Sequence, residues 1–137
     1  TPVWIDGDFP EARSVARDSR WPVGAMESCV FALCRGDRLS SLDRFSQGTQ
    51  LDPHLSTTAI VEMTGLFGGD PLRLAGPGVA PDGQIFAPRS LPEDFQQAWA
   101  ENAMRLPCGV DLILTSGSDC ACLPRSVRLE APNVRAG

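Results

Sequence analysis

In "PLRLAGPGVAP", residues 71–81, a strand-like alternation runs into Gly76-Pro77-Gly78. A strand that enters a glycine-rich turn can aim its backbone amides at a phosphate. A dinucleotide fingerprint needs G-x-G-x-x-G opening a helix. Here the residue three after Gly78 is Pro81, and the next strong helical pattern starts near residue 91. A P-loop needs a Lys beside its last glycine, and all twelve basic residues of this chain are Arg. The turn therefore reads as structural. Arg73, on the strand before it, is either a solvated strand-face residue or the anion contact of any ligand that reaches the turn.

The remaining chemistry is sparse. His54, in "LDPHLS", is the only imidazole, and nothing in the linear sequence brings Cys108 or a Ser to it as a nucleophile. Asp111 sits one residue into the apolar run "VDLILT". It is either a ligand-positioning acid or half of a structural ion pair with an Arg. Cys29, Cys34, Cys108, Cys120 and Cys122 are odd in number and match no zinc spacing. They read as reduced thiols of a cytoplasmic protein, mostly packed as small core residues. Cys120 and Cys122 share one strand face, yet two thiolates make a poor metal site, so core packing is expected for them and no metal.

Composition narrows the classes. An excess of acid, net charge −5, argues against capture of nucleic acid or anionic membrane. Without Lys, no Schiff base can form within these 137 residues, and Tyr is absent as a general acid. No apolar run approaches the roughly 20 residues of a membrane span. The length fits one domain, 1–137. Thr1 leads almost at once into a core-like strand, so a preceding segment is expected to be missing.

The elements that must position these residues follow from pattern. "TPVWID" reads as a strand, residues 9–20 as a surface helix with Pro10 at its front, and "SCVFALC" as a strand buried on both faces. Leu39, Leu42 and Phe45, spaced by three, predict a short helix stopped at Gly48. "STTAIVEMTGL" reads as a strand turning at "FGGDP" into antiparallel "LRLA". Residues 90–106 form a helix with a Ser90–Glu93 capping box. "GVDLILTSG" and "DCACLP" form a hairpin around Gly117-Ser118, which "SVRLE" continues before a polar tail. The fold class is α/β, a mixed β-sheet flanked by helices.

Three stretches, "LRLAGPGV", "LPCGVDLILTSG" and "CLPRSVRLE", together resemble the PhnH family of phosphonate-metabolism proteins, a component of the carbon–phosphorus lyase system. "TPVW", "FSQGTQLDP" and "TTAIVEMTGL" agree in order along nearly the whole chain. The resemblance implies a fold vestigially similar to the large domain of pyridoxal-phosphate-dependent transferases, without a cofactor lysine. It implies an accessory or assembly protein that works with the G, I and J subunits of that system and forms a homodimer when free. The reaction supported is transfer of an alkylphosphonate to the ribose C1 of a nucleoside triphosphate. No cofactor is expected, since no iron–sulfur motif is present either. Arg73, Gly76, Gly78, Asp111 and Arg125 fall in the matching stretches and are the expected ligand or partner residues, with no catalytic residue. The alternative is a stand-alone nucleotide- or phosphonate-binding domain that uses the vestigial cofactor cleft.

Overall fold

The computed structural model describes residues 2–130; the polar tail read at 131–137 lies outside them. The strands are β1 (Val3–Ile5), β2 (Phe31–Arg35), β3 (Thr58–Glu62), β4 (Leu72–Ala75), β5 (Gln84–Phe86), β6 (Asp111–Ser116), β7 (Asp119–Leu123) and β8 (Arg128–Glu130). The helices are α1 (Pro10–Asp18) and α2 (Phe95–Ala103). A five-stranded sheet runs β1-β2-β3-β6-β7, and a three-stranded one β5-β4-β8. In the large sheet β1, β2, β3 and β6 are parallel, and β7 returns antiparallel. The small sheet is antiparallel throughout.

Strand alternation gives the large sheet two unlike faces. Ala32, Cys34, Ala59, Val61, Leu112, Leu114 and Leu123 form the inner face and are buried. They share one core with Phe95 and Trp99 of α2, Leu74 and Phe86 of the small sheet, and Leu39, Leu42 and Phe45. The last three lie in or just after two 3-10 turns, Gly36–Ser40 and Leu42–Arg44, rather than in an α-helix. Their spacing of three suits the 3-10 period, which explains the difference. Trp99 Nε1 donates to Val127 O at 2.7 Å, fastening α2 to the segment before β8.

The outer face is different. Register aligns Ile5, Leu33, Ile60, Ile113 and Cys122 across all the strands of the sheet. Among the described residues only α1 lies over this face, at the β1 side. It leaves an apolar groove of 670 Å³ lined by Val15, Trp21, Phe31, Leu33 and Ile60 among others. The expectation that "SCVFALC" is buried on both faces is thus corrected: Phe31 is 42% exposed.

Other expectations change where distant segments meet. β4 does not pair with β3, and β8 does not extend β7; β8 crosses to the small sheet and pairs with β4. β5 is too short, three residues, to announce itself by alternation. Ser90 does not cap α2: the helix begins after Asp94, and Ser90 has a left-handed φ of 70° with its hydroxyl against that of Thr64. The β6–β7 hairpin around Gly117-Ser118 forms as its turn residues require.

Asn102, fully buried on α2, holds the entry to β6. Its Nδ2 donates to Val110 O at 3.0 Å, and its Oδ1 accepts from Val110 N at 2.9 Å. Gly109, at φ 122°, is needed there because a Cβ would lie 3.0 Å from that Oδ1. Asn102→Ala strands both backbone groups of Val110 in the core. It should lower stability by about 2–4 kcal/mol, read as a lower urea midpoint at unchanged slope.

Candidate functional site

Arg125 reaches its place because β7 ends at Leu123 and Pro124 starts a turn closed by Val127 N on Pro124 O. Its guanidinium meets Asp111, the first residue of β6, through Nε at 3.1 Å and Nη2 at 2.7 Å. The Arg125 backbone N donates to the same carboxylate at 2.7 Å. Nη2 also donates to Ser56 Oγ at 2.6 Å, and Nη1 to Pro107 O at 3.1 Å and Pro53 O at 3.3 Å. Burial pushes the Asp111 carboxyl up, but the hydrogen bonds and charge of Arg125 outweigh it, so the group titrates below its ordinary 3.8. Of the two readings of Asp111, the geometry is that of a structural ion pair.

Gly76 belongs to the same neighbourhood. At φ 131°, a Cβ there would lie 3.0 Å from Ser126 O, so glycine lets the turn after β4 approach the turn that carries Arg125. Gly76, Asp111 and Arg125 are therefore brought together. Gly78, at φ 82°, faces open space at the turn's tip. Arg73 is committed elsewhere: it pairs with Glu130 across β4 and β8 at 2.9 Å, and its stem lies over Gly83. His54 is exposed in the 3-10 turn Pro53–Leu55.

The cysteines divide. Cys29 and Cys34 are buried as expected, and burial pushes the Cys34 thiol up to about 12. Cys120 and Cys122 do share a face, but they are exposed, so the core reading is corrected. The reason is that β7 is an edge strand and its outer face carries no covering element among the described residues.

A cleft of 470 Å³ opens at the carboxyl ends of β2 and β3, the side on which parallel sheets commonly receive ligands. Arg35, Ser40, Glu62, Thr64 and Ser90 line it. Arg35 is already shared between Glu62 at 2.8 Å and Asp8 at 3.6 Å, and lies over the Phe9 ring. Beside it, Arg38 holds Asp6 at 2.9 Å and, by that hydrogen bond above all, keeps its carboxyl below 3.8. The cleft thus offers hydroxyls, a compensated Arg35 and the carboxylate of Asp37. Ser90 was missed as a site residue because its positive φ leaves no mark in the sequence.

These features define an α/β domain in which Gly76, Asp111 and Arg125 of the quoted stretches meet, and which among the described residues carries an open apolar sheet face. The chain belongs to the bacterial phosphonate metabolism protein (PhnH) family, whose model matches residues 1–130. It is 43% identical over 96 residues to the alpha-D-ribose 1-methylphosphonate 5-triphosphate synthase subunit PhnH of Rhizobium meliloti (strain 1021), covering 70% of this chain and 48% of that protein. It is 30% identical over 106 residues to the putative C-P lyase subunit protein HtxG of Stutzerimonas stutzeri, covering 77% of this chain and 53% of that one. The chain spans about half the length of these curated relatives.

Arg125→Met leaves Asp111 partly buried without its cation. The expected loss at neutral pH is about 2–3 kcal/mol, below the range for fully buried pairs because water still reaches the carboxylate. Since the folded pKa of Asp111 is depressed, the pair's contribution is complete above the ordinary 3.8 and is lost as pH falls through the folded value. Urea titrations of wild type and variant should therefore converge on acidification.

Proposed function

We propose that this chain is an accessory and assembly subunit of a carbon–phosphorus lyase core complex, working in the cytoplasm in alkylphosphonate use. In this reading it supports transfer of an alkylphosphonate to the ribose C1 of a nucleoside triphosphate, and the G, I and J subunits are its partners. A second copy of the chain occupies the docking face when those partners are absent. The domain is a relic of the pyridoxal-phosphate transferase large domain that now serves by shape, without a cofactor.

The observation that carries the reading is the outer face of the five-stranded sheet. Largely parallel sheets are stable with both faces covered, and among the described residues Phe31, Leu33, Ile60 and Ile113 lie beyond the reach of α1 or only partly under it. A contiguous apolar patch of this kind marks a protein contact. The alternative, a nucleotide- or phosphonate-binding domain, is less well supported, because Arg35, Arg73 and Arg125 each already hold a carboxylate.

Co-expression of the tagged chain with the G, I and J subunits, followed by size-exclusion chromatography, tests this. The wild-type chain is expected to elute in the complex. Phe31→Arg and Ile113→Arg, both on the open face, should each abolish co-elution while thermal unfolding of the isolated chain stays close to wild type. Incorporation of both variants would remove the face from the reading. A wild-type chain that stays out of the complex would remove the subunit role itself.

A further inference from the structure

Cys120 and Cys122 stand on edge strand β7, two residues apart and on one face. Their register partners are Thr115 and Ile113. Both are exposed, against the habit of free cysteine, which packs as a small hydrophobe. Both also border a cavity of 550 Å³ between the β7 edge and β5, walled by Phe67 and Ile85.

Extended geometry limits what such a pair can do. Residues i and i+2 of a strand lie about 6.6–6.8 Å apart, at the upper end of the roughly 4.4–6.8 Å that a disulfide spans. A direct S–S bond asks the strand to contract, whereas one bridging atom does not. Ligand number limits the bridge. Structural zinc takes four protein ligands, and calcium takes six to eight oxygens. Among the described residues no group of three or more His, Cys, Asp or Glu gathers to hold a metal. A pair of thiolates suits a soft ion that is content with two ligands, and Cu(I) is such an ion.

We propose that Cys120 and Cys122 form a two-coordinate site for a soft monovalent metal ion of the Cu(I) class. Binding breaks both S–H bonds, forms two S–Cu(I) bonds and releases two protons, with no electron transferred. Cys122 lies in the same outer-face row as Ile113, so a partner docked there would compete with the ion; the proposal rests on the β7 geometry and is tested on the isolated chain.

The experiment is an anaerobic titration of the chain with Cu(I) against a chromogenic chelator, for wild type, Cys120→Ser, Cys122→Ser and Cys108→Ser. Wild type is expected to take one ion per chain. Either serine change on β7 should weaken binding by about 100-fold or more, the gain that a second tethered ligand supplies. Cys108→Ser should bind as wild type. Binding should tighten as pH rises, because protons compete for both sulfurs. Failure of the wild-type chain to draw Cu(I) from the chelator would overturn the proposal. So would wild-type affinity in both β7 variants. Both cysteines are exposed, so serine there leaves the core untouched, and equal thermal midpoints confirm that the comparison is of folded chains.

Discussion

The guanidinium of Arg125 is the point on which the two sheets depend. All three of its nitrogens donate, to the Asp111 carboxylate, the Ser56 hydroxyl and the carbonyls of Pro53 and Pro107. These partners belong to the start of β6, the approach to β3 and the loop after α2. The turn they fix is the one that releases the chain from β7 and sends β8 to the small sheet. A planar fork with five N–H donors suits such a junction, where a Lys would present a point charge and fewer fixed directions. The same turn presses Ser126 O against Gly76, so the three stretches by which the family is recognised meet in one place.

That architecture is lopsided. The inner face of the large sheet is closed by α2, the small sheet and the 3-10 turns, with Trp99 and Phe95 nearly out of contact with water. Among the described residues the outer face has one short helix near one edge. Ala16 is the only fully buried residue of α1, and Val15 and Trp21 are more than half exposed beside the groove. The packing of the sheet is thus concentrated on one side, and among the described residues the other side lies largely open. A family of phosphonate-metabolism proteins with relatives that are subunits of a C–P lyase system is consistent with a domain of this design.

The charged residues follow the same logic. Arg35, Arg38, Arg73 and Arg125 are each matched to carboxylates within 4 Å, and two of them also lie over aromatic rings. At the carboxyl ends of β2 and β3 this leaves a cleft in which Arg35 is compensated and Asp37 adds a further carboxylate, rather than a positive funnel. Asp6 and Asp111 are held as anions by their Arg partners, and burial pushes the Cys29 and Cys34 thiols up.

The sequence by itself determined the elements whose signals are local. Alternation in "VDLILT" and the Gly117-Ser118 turn define the β6–β7 hairpin, Pro10 opens α1, and the spacing of Leu39, Leu42 and Phe45 marks three residues that do become core. The family was legible from three short stretches, and the lack of Lys closed off aldimine chemistry within the chain. Only the tertiary structure decided which segments meet. "SVRLE" reads as a continuation of β7 because alternation carries no partner information, yet Arg125 turns it toward β4. Ser90 and Glu93 have capping-box spacing, but the pairing of Ser90 with Thr64 draws it out of the helix. Asp111 could have been a ligand or an ion pair until the fold brought Arg125 to it, and Cys120 and Cys122 could have been core until β7 became an edge. Hydrophobic period and turn chemistry act over a few residues, whereas exposure, pairing and charge compensation are set by residues that are far apart in the chain.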